Sequence, residues 1–272
     1  LWLASAGVAA LLLLPVVYLA VRASTAGEAV WALIFRPAAL AALARSLWLA
    51  AAVSAASIAI SLPAAWLAAR TDLPGRKILS VLLALPAVIP SYAGAYLLAA
   101  FLGPRGMLAQ VFGLSGLPSI YGFSGAFLTL TLLCYPYVFL NLRAALFGLD
   151  PALEEAARSL GHTPWKTYWR VTLPQLRPAL AAGGLMAALY VLRDFGAVSI
   201  MRYDTLTRVI YVQYGSAFDR STASGLALVL VALTLLLLAL DLWTRGRARY
   251  TRSPSGARAQ PLIRLGSWRW PA

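Results

Sequence analysis

The sequence has few cysteines, histidines and acidic residues, and these shortages exclude several kinds of site. Its 272 residues include one cysteine, one histidine and nine Asp or Glu residues. A single cysteine, Cys134, can form neither an intrachain disulfide nor a thiolate metal cluster. With His162 as the only imidazole, a histidine-based metal site is excluded too. Cys134 stands in an apolar run, so we expect it to be a small buried side chain.

Motifs for nucleotide binding and catalysis are also missing. The sequence contains neither G-x-x-x-x-G-K-[ST] nor G-x-G-x-x-G, the glycine-rich turns that hold phosphates and dinucleotides. No nucleophile, base and carboxylate stand at a spacing that predicts a converging site. We therefore expect this chain not to be an enzyme and to bind no cofactor or metal ion of its own.

Apolar residues dominate the composition. The chain is 61% hydrophobic and 12% charged, with a mean hydropathy of +0.76, whereas about a quarter of a soluble domain is charged. Six runs are long enough to cross about 30 Å of hydrocarbon at 1.5 Å per helical residue. They cover approximately residues 1–21, 47–69, 78–102, 123–142, 179–201 and 222–240. The sequence therefore predicts one all-α, polytopic membrane domain, a bundle of six transmembrane helices.

The positive charges indicate how this bundle is oriented. The net charge of +14 suggests nucleic acid, but the Lys and Arg residues cluster at the ends of apolar runs, which favours membrane topology instead. Fifteen of the 23 Lys and Arg residues lie in the loops after the second and fourth runs or in the tail 245–272. We therefore expect these segments and both termini to be cytoplasmic, the lipid bilayer to surround the chain, and nucleic acid not to be a partner.

The cytoplasmic segment 143–178 contains a helix with clear start and stop signals. Asp150 can cap the helix, Pro151 suits its first position, and Gly161 suits the left-handed residue that ends it. An apolar stripe at helical spacing consists of Leu153, Ala156, Ala157 and Leu160.

A second helix follows in the same segment. Thr163 and Pro164 provide a second cap and first position, and we expect Leu173-Pro174 to end this helix. Two short helices joined at a glycine are thus predicted. On spacing alone, a helical hairpin lying on the lipid surface is an alternative.

The third run contains two prolines one helical turn apart, Pro86 and Pro90. Each removes a backbone hydrogen bond, so a kink is expected where neighbouring helices or water satisfy the freed carbonyls. Such a kink is either a hinge or pore-lining bend, or a feature of shape alone. Both residues are candidates for the translocation path.

The fifth run contains an adjacent pair of charged residues, Arg193 and Asp194. A charge at the centre of a bilayer costs about 2.5–3.5 kcal/mol on insertion scales, so such residues usually face a cavity or a partner. One interpretation is that the pair lines the translocation path or its gate. The alternative is that both lie near the outer surface and extend their polar ends to water.

The cytoplasmic segment also carries a spaced motif. It begins with Glu155-Ala156-Ala157, and Gly161 follows after three intervening residues. Val171 follows after nine more, and Leu173-Pro174 after one more. This motif resembles the EAA loop of ABC-importer permeases. Three further stretches resemble the ferric-iron permeases, namely RTDLPGR at 70–76, LPAVIPSY at 85–92 and RDFGAVS at 193–199. The chain looks like a type I permease of the prokaryotic cytoplasmic (inner) membrane.

That resemblance implies a set of partners. A second permease unit would complete the pathway, two ATPase subunits would bind ATP and Mg beneath it, and an external binding protein would deliver the substrate. Since ferric-iron permeases resemble two fused six-helix units, this chain would be the first unit. The residues coupled to the ATPase would be Leu153, Glu155, Ala156, Ala157, Leu160, Gly161, Val171, Leu173 and Pro174.

The substrate and the class of protein have alternatives at this stage. Permeases for thiamine, sulfate or polyamines share the EAA loop. A membrane-embedded enzyme and a structural membrane subunit are the alternatives outside transport.

Overall fold

The computed structural model describes residues 2–25, 27–113, 118–216 and 220–246. Within these ranges the chain forms helices and no β-strand. The first half contains α1 (Trp2–Thr25), α2 (Glu28–Ile34), α3 (Pro37–Arg70), α4 (Arg76–Ala84), α5 (Ser91–Leu102) and α6 (Met107–Phe112). The second half contains α7 (Phe123–Phe147), α8 (Pro151–Ser159), α9 (Pro164–Thr167), α10 (Leu173–Arg193), α11 (Gly196–Ile200), α12 (Leu206–Ser216) and α13 (Arg220–Gly246).

Six helical stretches in the described ranges are long and apolar enough to cross a membrane. This confirms the predicted all-α membrane bundle. Several helices extend beyond the predicted runs: α3 begins at Pro37 and α7 ends at Phe147. The extensions contain Arg45 in α3 and Arg143 in α7, and these charges interrupt the apolar runs although the helices continue. Of the predicted basic tail, residues 247–272 lie outside the described ranges.

Helix α7 is the centre of the bundle, with α3, α5 and α10 packed around it. Its buried residues include Leu130, Val138, Phe139 and Leu142, none of which is exposed. The apolar cluster around them draws on α3, α5, α10 and α11. Because α7 is covered on most sides, it forms the core of the bundle.

Small residues allow α10 to approach this centre closely. Gly183, Gly184 and Ala187 form a small face of α10 that is buried. A Cβ atom on Gly183 would come within 2.9 Å of Val138 Cα in α7. Helices in membranes pack through such small residues because backbones can then come into contact.

Hydroxyl groups connect the same helices. Ser61 Oγ of α3 donates to the Tyr135 carbonyl of α7 at 2.8 Å, and Ser54 Oγ donates to the Gly184 carbonyl of α10 at 3.1 Å. Hydrogen bonds between membrane helices also satisfy hydroxyls that lipid cannot. Helices α3, α7 and α10 are therefore joined by polar as well as apolar contacts.

The third run is interrupted rather than kinked. Helix α4 ends at Ala84, a 3-10 turn covers Leu85–Val88, and α5 begins after Pro90. Ile89 is extended, with φ −75° and ψ 124°, as expected for a residue that precedes proline. The missing N–H groups of Pro86 and Pro90 explain why the helix does not continue through this segment.

The predicted end of the second cytoplasmic helix at Leu173-Pro174 is wrong. Helix α9 runs into a π-helical turn, Tyr168–Thr172, which leads directly into α10. The Leu173 N–H donates to the Tyr168 carbonyl, five residues back. Pro174 lies in the first turn of α10, where its missing N–H costs little. A continuous helical stretch therefore runs from Pro164 to Arg193.

Candidate functional site

Helix α8 begins and ends through local interactions. Asp150 Oδ1 accepts the Ala152 N–H at 3.0 Å, which confirms the predicted cap. Gly161 has φ +83°, the left-handed conformation predicted for it. The His162 N–H donates to the Ala157 carbonyl at 3.1 Å, which closes the helix end in the manner of a Schellman motif.

The solvent-exposed side of this segment includes four large apolar side chains. We call the surface formed by Leu153, Leu160, Trp165 and Trp169 the coupling surface, after the role that the sequence predicts for Leu153 and Leu160. Leu160 is 80% exposed and Trp165 is 70% exposed, and the other two side chains are about half exposed. The Trp165 and Trp169 rings meet edge to face, with 5.6 Å between their centroids. Large apolar side chains exposed together are typical of contact sites for other molecules.

The motif residues differ in their exposure to solvent. Glu155 and Ala156 are exposed together with Leu153 and Leu160, whereas Ala157 is buried. The apolar stripe predicted on α8 therefore does not face in one direction. The remaining motif residues are half-buried at the entry to α10, and these are Val171, Leu173 and Pro174.

The structure also assigns a contact that the motif does not predict. Glu154, not Glu155, carries the buried carboxylate: its Oε2 pairs with Arg70 at the end of α3, and its Oε1 accepts the Thr172 hydroxyl at 2.8 Å. The side chains of Arg70 and Glu154 are 4% and 13% exposed. The sequence offers one signal, because Glu154 stands three residues before the buried Ala157 and so shares its face.

Aromatic rings surround this ion pair. The guanidinium carbon of Arg70 lies 5.5 Å from the centroid of the Trp66 ring. Trp66 in turn meets Tyr168 edge to face, with centroids 4.8 Å apart. The C-terminal end of α3 therefore contacts both α8 and the π-helical turn that leads into α10.

Asp194 caps a helix in the structure. It is 6% exposed, and its Oδ1 accepts the Ala197 N–H at 2.9 Å and the Val198 N–H at 3.4 Å. Its backbone is extended, which ends α10 and starts α11. Thr207 Oγ1 donates to the Asp194 carbonyl at 2.8 Å. These contacts satisfy the buried carboxylate, and the predicted role of Asp194 in the pathway stays a prediction.

The end of α10 meets the interruption in the third run. The Ser91 side chain, next to Pro90, lies near the Asp194 carboxylate. A Cβ atom on Gly196 would come within 2.8 Å of Ser91 Oγ, which shows how closely α11 approaches α5. Pro90 and Asp194 therefore lie close to each other in the structure.

Pro86 and Arg193 do not share that contact. Pro86 lies one turn earlier, within the 3-10 turn. Arg193 is exposed, and its guanidinium carbon lies 5.2 Å from the centroid of the Tyr190 ring. The roles predicted for both in the translocation path stay predictions. Among the described residues, no three His, Cys, Asp or Glu side chains lie close enough together to hold a metal ion.

Several transport proteins are similar to this chain in sequence. It is 31% identical over 258 residues to the Fe(3+)-transport system permease protein FbpB 2 of Haemophilus influenzae, which covers 94% of this chain and 48% of that protein. It is 31% identical over 215 residues to the molybdenum transport system permease protein ModB of Escherichia coli K12, covering 75% and 93%. It is 30% identical over 214 residues to the sulfate transport system permease protein CysT of that strain, covering 76% and 77%. The chain spans about half the length of FbpB 2.

The fold and a family match agree with these relatives. A chain in the crystal structure of the bacterial alginate ABC transporter, in complex with its alginate pentasaccharide-bound periplasmic protein, has a TM-score of 0.70 at 18% identity. That likeness covers 93% of this chain and 96% of the other, and it shows the fold. Residues 61–248 match the family described as "Binding-protein-dependent transport system inner membrane component". The chain belongs to this family, and it is a multi-pass permease subunit of an ABC importer rather than an enzyme.

Proposed function

We propose that this chain forms part of the translocation path for ferric iron delivered by an external binding protein. The similarity to FbpB 2 supports iron because it extends over 94% of this chain. Molybdate and sulfate are the alternative substrates, since ModB and CysT are 31% and 30% identical over shorter stretches. A second permease unit, fused or separate, completes the path.

The coupling surface supports docking on an ATPase subunit. Apolar area is exposed by Leu153, Leu160, Trp165 and Trp169 at the end of the bundle that we expect, from the basic residues, to be cytoplasmic. A hairpin that only lies on lipid needs no buried connection to the bundle, whereas α8 is held to α3 through Glu154 and Arg70. This fixed position is the observation that favours a docking role.

The mechanism that follows is a movement passed from one subunit to another. ATP and Mg bind in two partner ATPase subunits, which close on each other. Helix α8 moves with the groove that holds it, and the membrane helices change from an inward-open to an outward-open arrangement. Gly161 provides the turn that positions α8, and both termini lie in the cytoplasm of a prokaryotic cell.

Uptake by reconstituted transporter tests this function. The chain, its second permease unit, its ATPase and its binding protein are placed in liposomes, and uptake of radiolabelled ferric iron, molybdate and sulfate is compared. We expect ATP-dependent uptake of iron alone. Uptake of either oxyanion instead would overturn the iron assignment while leaving the importer role intact.

A pair of matched substitutions tests the coupling surface in the same liposomes. We expect Leu160→Ala combined with Trp165→Ala to abolish stimulation of ATP hydrolysis by the binding protein. Phe35→Ala removes a similarly exposed ring from the other end of the bundle and serves as the control. Equal stimulation in both variants would contradict docking through this surface.

A further inference from the structure

We propose that Arg70, Glu154 and Thr172 form a joint that makes α8, α3 and the start of α10 move as one body. Arg70 and Glu154 are then positioning residues, which act through the helices they hold. The inference rests on the proposed docking of α8 on an ATPase subunit. It adds the contacts through which a displacement of α8 is transmitted to the membrane helices α3 and α10.

The three residues come from three different elements. Arg70 is the last residue of α3, Glu154 lies in the first turn of α8, and Thr172 ends the π-helical turn before α10. Each oxygen of the Glu154 carboxylate has its own partner, Arg70 for Oε2 and the Thr172 hydroxyl for Oε1. One carboxylate therefore fixes the distance between all three elements.

The joint is enclosed. Arg70 and Thr172 are almost fully buried, and Glu154 is largely so. The ring of Trp66 covers the guanidinium, and Tyr168 packs edge-on against that ring. Charges shielded from water in this way interact more strongly and are screened less by salt than surface pairs. The contact therefore persists while the surrounding helices shift.

The ion pair fixes the relative positions of the helices more than it stabilises the fold. A buried ion pair often stabilises a fold no better than apolar residues of similar volume, because both ions lose their hydration. Within the described part of the chain, Arg70 Nε is buried without a hydrogen-bond partner, which adds to that cost. Apolar replacements lack the directional hydrogen bonds that a guanidinium donates to a carboxylate.

Apart from this joint, α8 packs against α9 and the π-helical turn and is linked to α7 by a short turn. Before it, residues 148–150 link α7 to α8, and after it Gly161 and His162 lead to α9. Each link contains a glycine, Gly148 or Gly161, so a displacement of α8 would be absorbed there. Through Arg70, the same displacement reaches α3. That helix is joined to α7 by Ser61 and to α10 by Ser54.

The test uses the complete transporter in liposomes and measures the substrate moved per ATP hydrolysed. The double variant Arg70→Met, Glu154→Leu keeps the volume of the joint and removes its directional bonds. We expect its melting temperature to stay near that of the wild type while the ratio falls about tenfold, within the usual range of coupling between sites. An unchanged ratio would overturn the proposal.

Arg70→Lys provides a second variant in case the double variant does not fold. It keeps the charge but loses the planar fork, so we expect a smaller fall in the ratio than in the double variant. Asp204→Asn is the matched control. It breaks an exposed ion pair with Arg45, whose side chains are 42% and 51% exposed, and we expect it to leave the ratio unchanged. A ratio lowered equally by Asp204→Asn would count against the joint.

A cross-link separates this proposal from the docking on which it rests. Ser159→Cys places a thiol on the exposed side of α8, and Cys134 is buried and will not react. We expect a cross-link to the ATPase subunit both in the otherwise wild-type chain and in the double variant. If no cross-link formed in the otherwise wild-type chain, docking would be refuted. A cross-link in both backgrounds with an unchanged ratio would refute the joint alone.

Discussion

Gly183 of α10 lies so close to α7 that a Cβ atom there would be 2.9 Å from Val138 Cα. Backbone cannot move aside as a flexible side chain can. We therefore expect Gly183→Ala to lower the free energy of unfolding by about 1–3 kcal/mol, the usual cost of overpacking. Thermal unfolding in detergent, followed by tryptophan fluorescence, measures the loss.

A second helical glycine provides the control for that substitution. A Cβ atom on Gly215 in α12 would meet nothing within 4 Å. Gly215→Ala should be neutral or stabilise the protein by up to about 1 kcal/mol, because alanine is the better helix former. Equal effects at the two positions would show that the approach of α10 to α7 does not limit stability.

Gly161 allows local strain to be separated from contact with a partner. Its φ of +83° disfavours side chains, but the space around its Cβ position is open. Gly161→Asn and Gly161→Asp should both insert and fold, at a cost of about 1 kcal/mol, since both residue types tolerate this conformation. We expect the aspartate to abolish substrate-stimulated transport, because it places a charge beside the coupling surface, and the asparagine to retain it.

Uptake assays on the two variants, with membrane insertion checked by immunoblotting, decide between these outcomes. Normal uptake by Gly161→Asp would contradict the coupling role. Failure of both variants would attribute the defect to the turn itself.

The carboxylate of Asp194 has two separable properties, its hydrogen-bond acceptors and its charge. Asp194→Asn keeps an acceptor for the Ala197 N–H, so we expect it to unfold within about 0.5 kcal/mol of the wild type. Asp194→Ala should lose about 0.5–2 kcal/mol, the usual effect of removing a helix cap. Chemical denaturation of the purified protein measures both.

Uptake by Asp194→Asn then tests the predicted pathway role. A stable variant with reduced uptake would support a charge that faces the substrate. Unchanged uptake would leave capping as the function of this residue.

The orientation of the bundle is open to direct labelling. In a Cys134→Ala background, we expect Ser159→Cys to react with a membrane-impermeant maleimide only after the cytoplasmic side is exposed. Arg105→Cys, between α5 and α6, should react in intact cells. The reversed pattern would contradict the orientation inferred from the Lys and Arg residues.

Local signals were sufficient for part of this molecule. Asp150 and Gly161 act within a few residues of themselves, so the start and end of α8 follow from the sequence. Pro174 misleads because its effect depends on the preceding π-helical turn, which no local pattern marks. Glu154 and Arg70 are 84 positions apart, so the helical spacing of Glu154 and Ala157 can indicate which face of α8 is covered but not which residue of α3 pairs with Glu154.

The interruption between α4 and α5 has a consequence for the energetic cost of conformational change. A continuous helix must lose backbone hydrogen bonds before its two ends can change their mutual angle. At Pro86 and Pro90 those bonds are already missing. Helix α4 can therefore change its angle to α5 by rotation of a few backbone dihedral angles near Ile89. The energetic cost of such a change then comes chiefly from the side-chain contacts of α4 and α5.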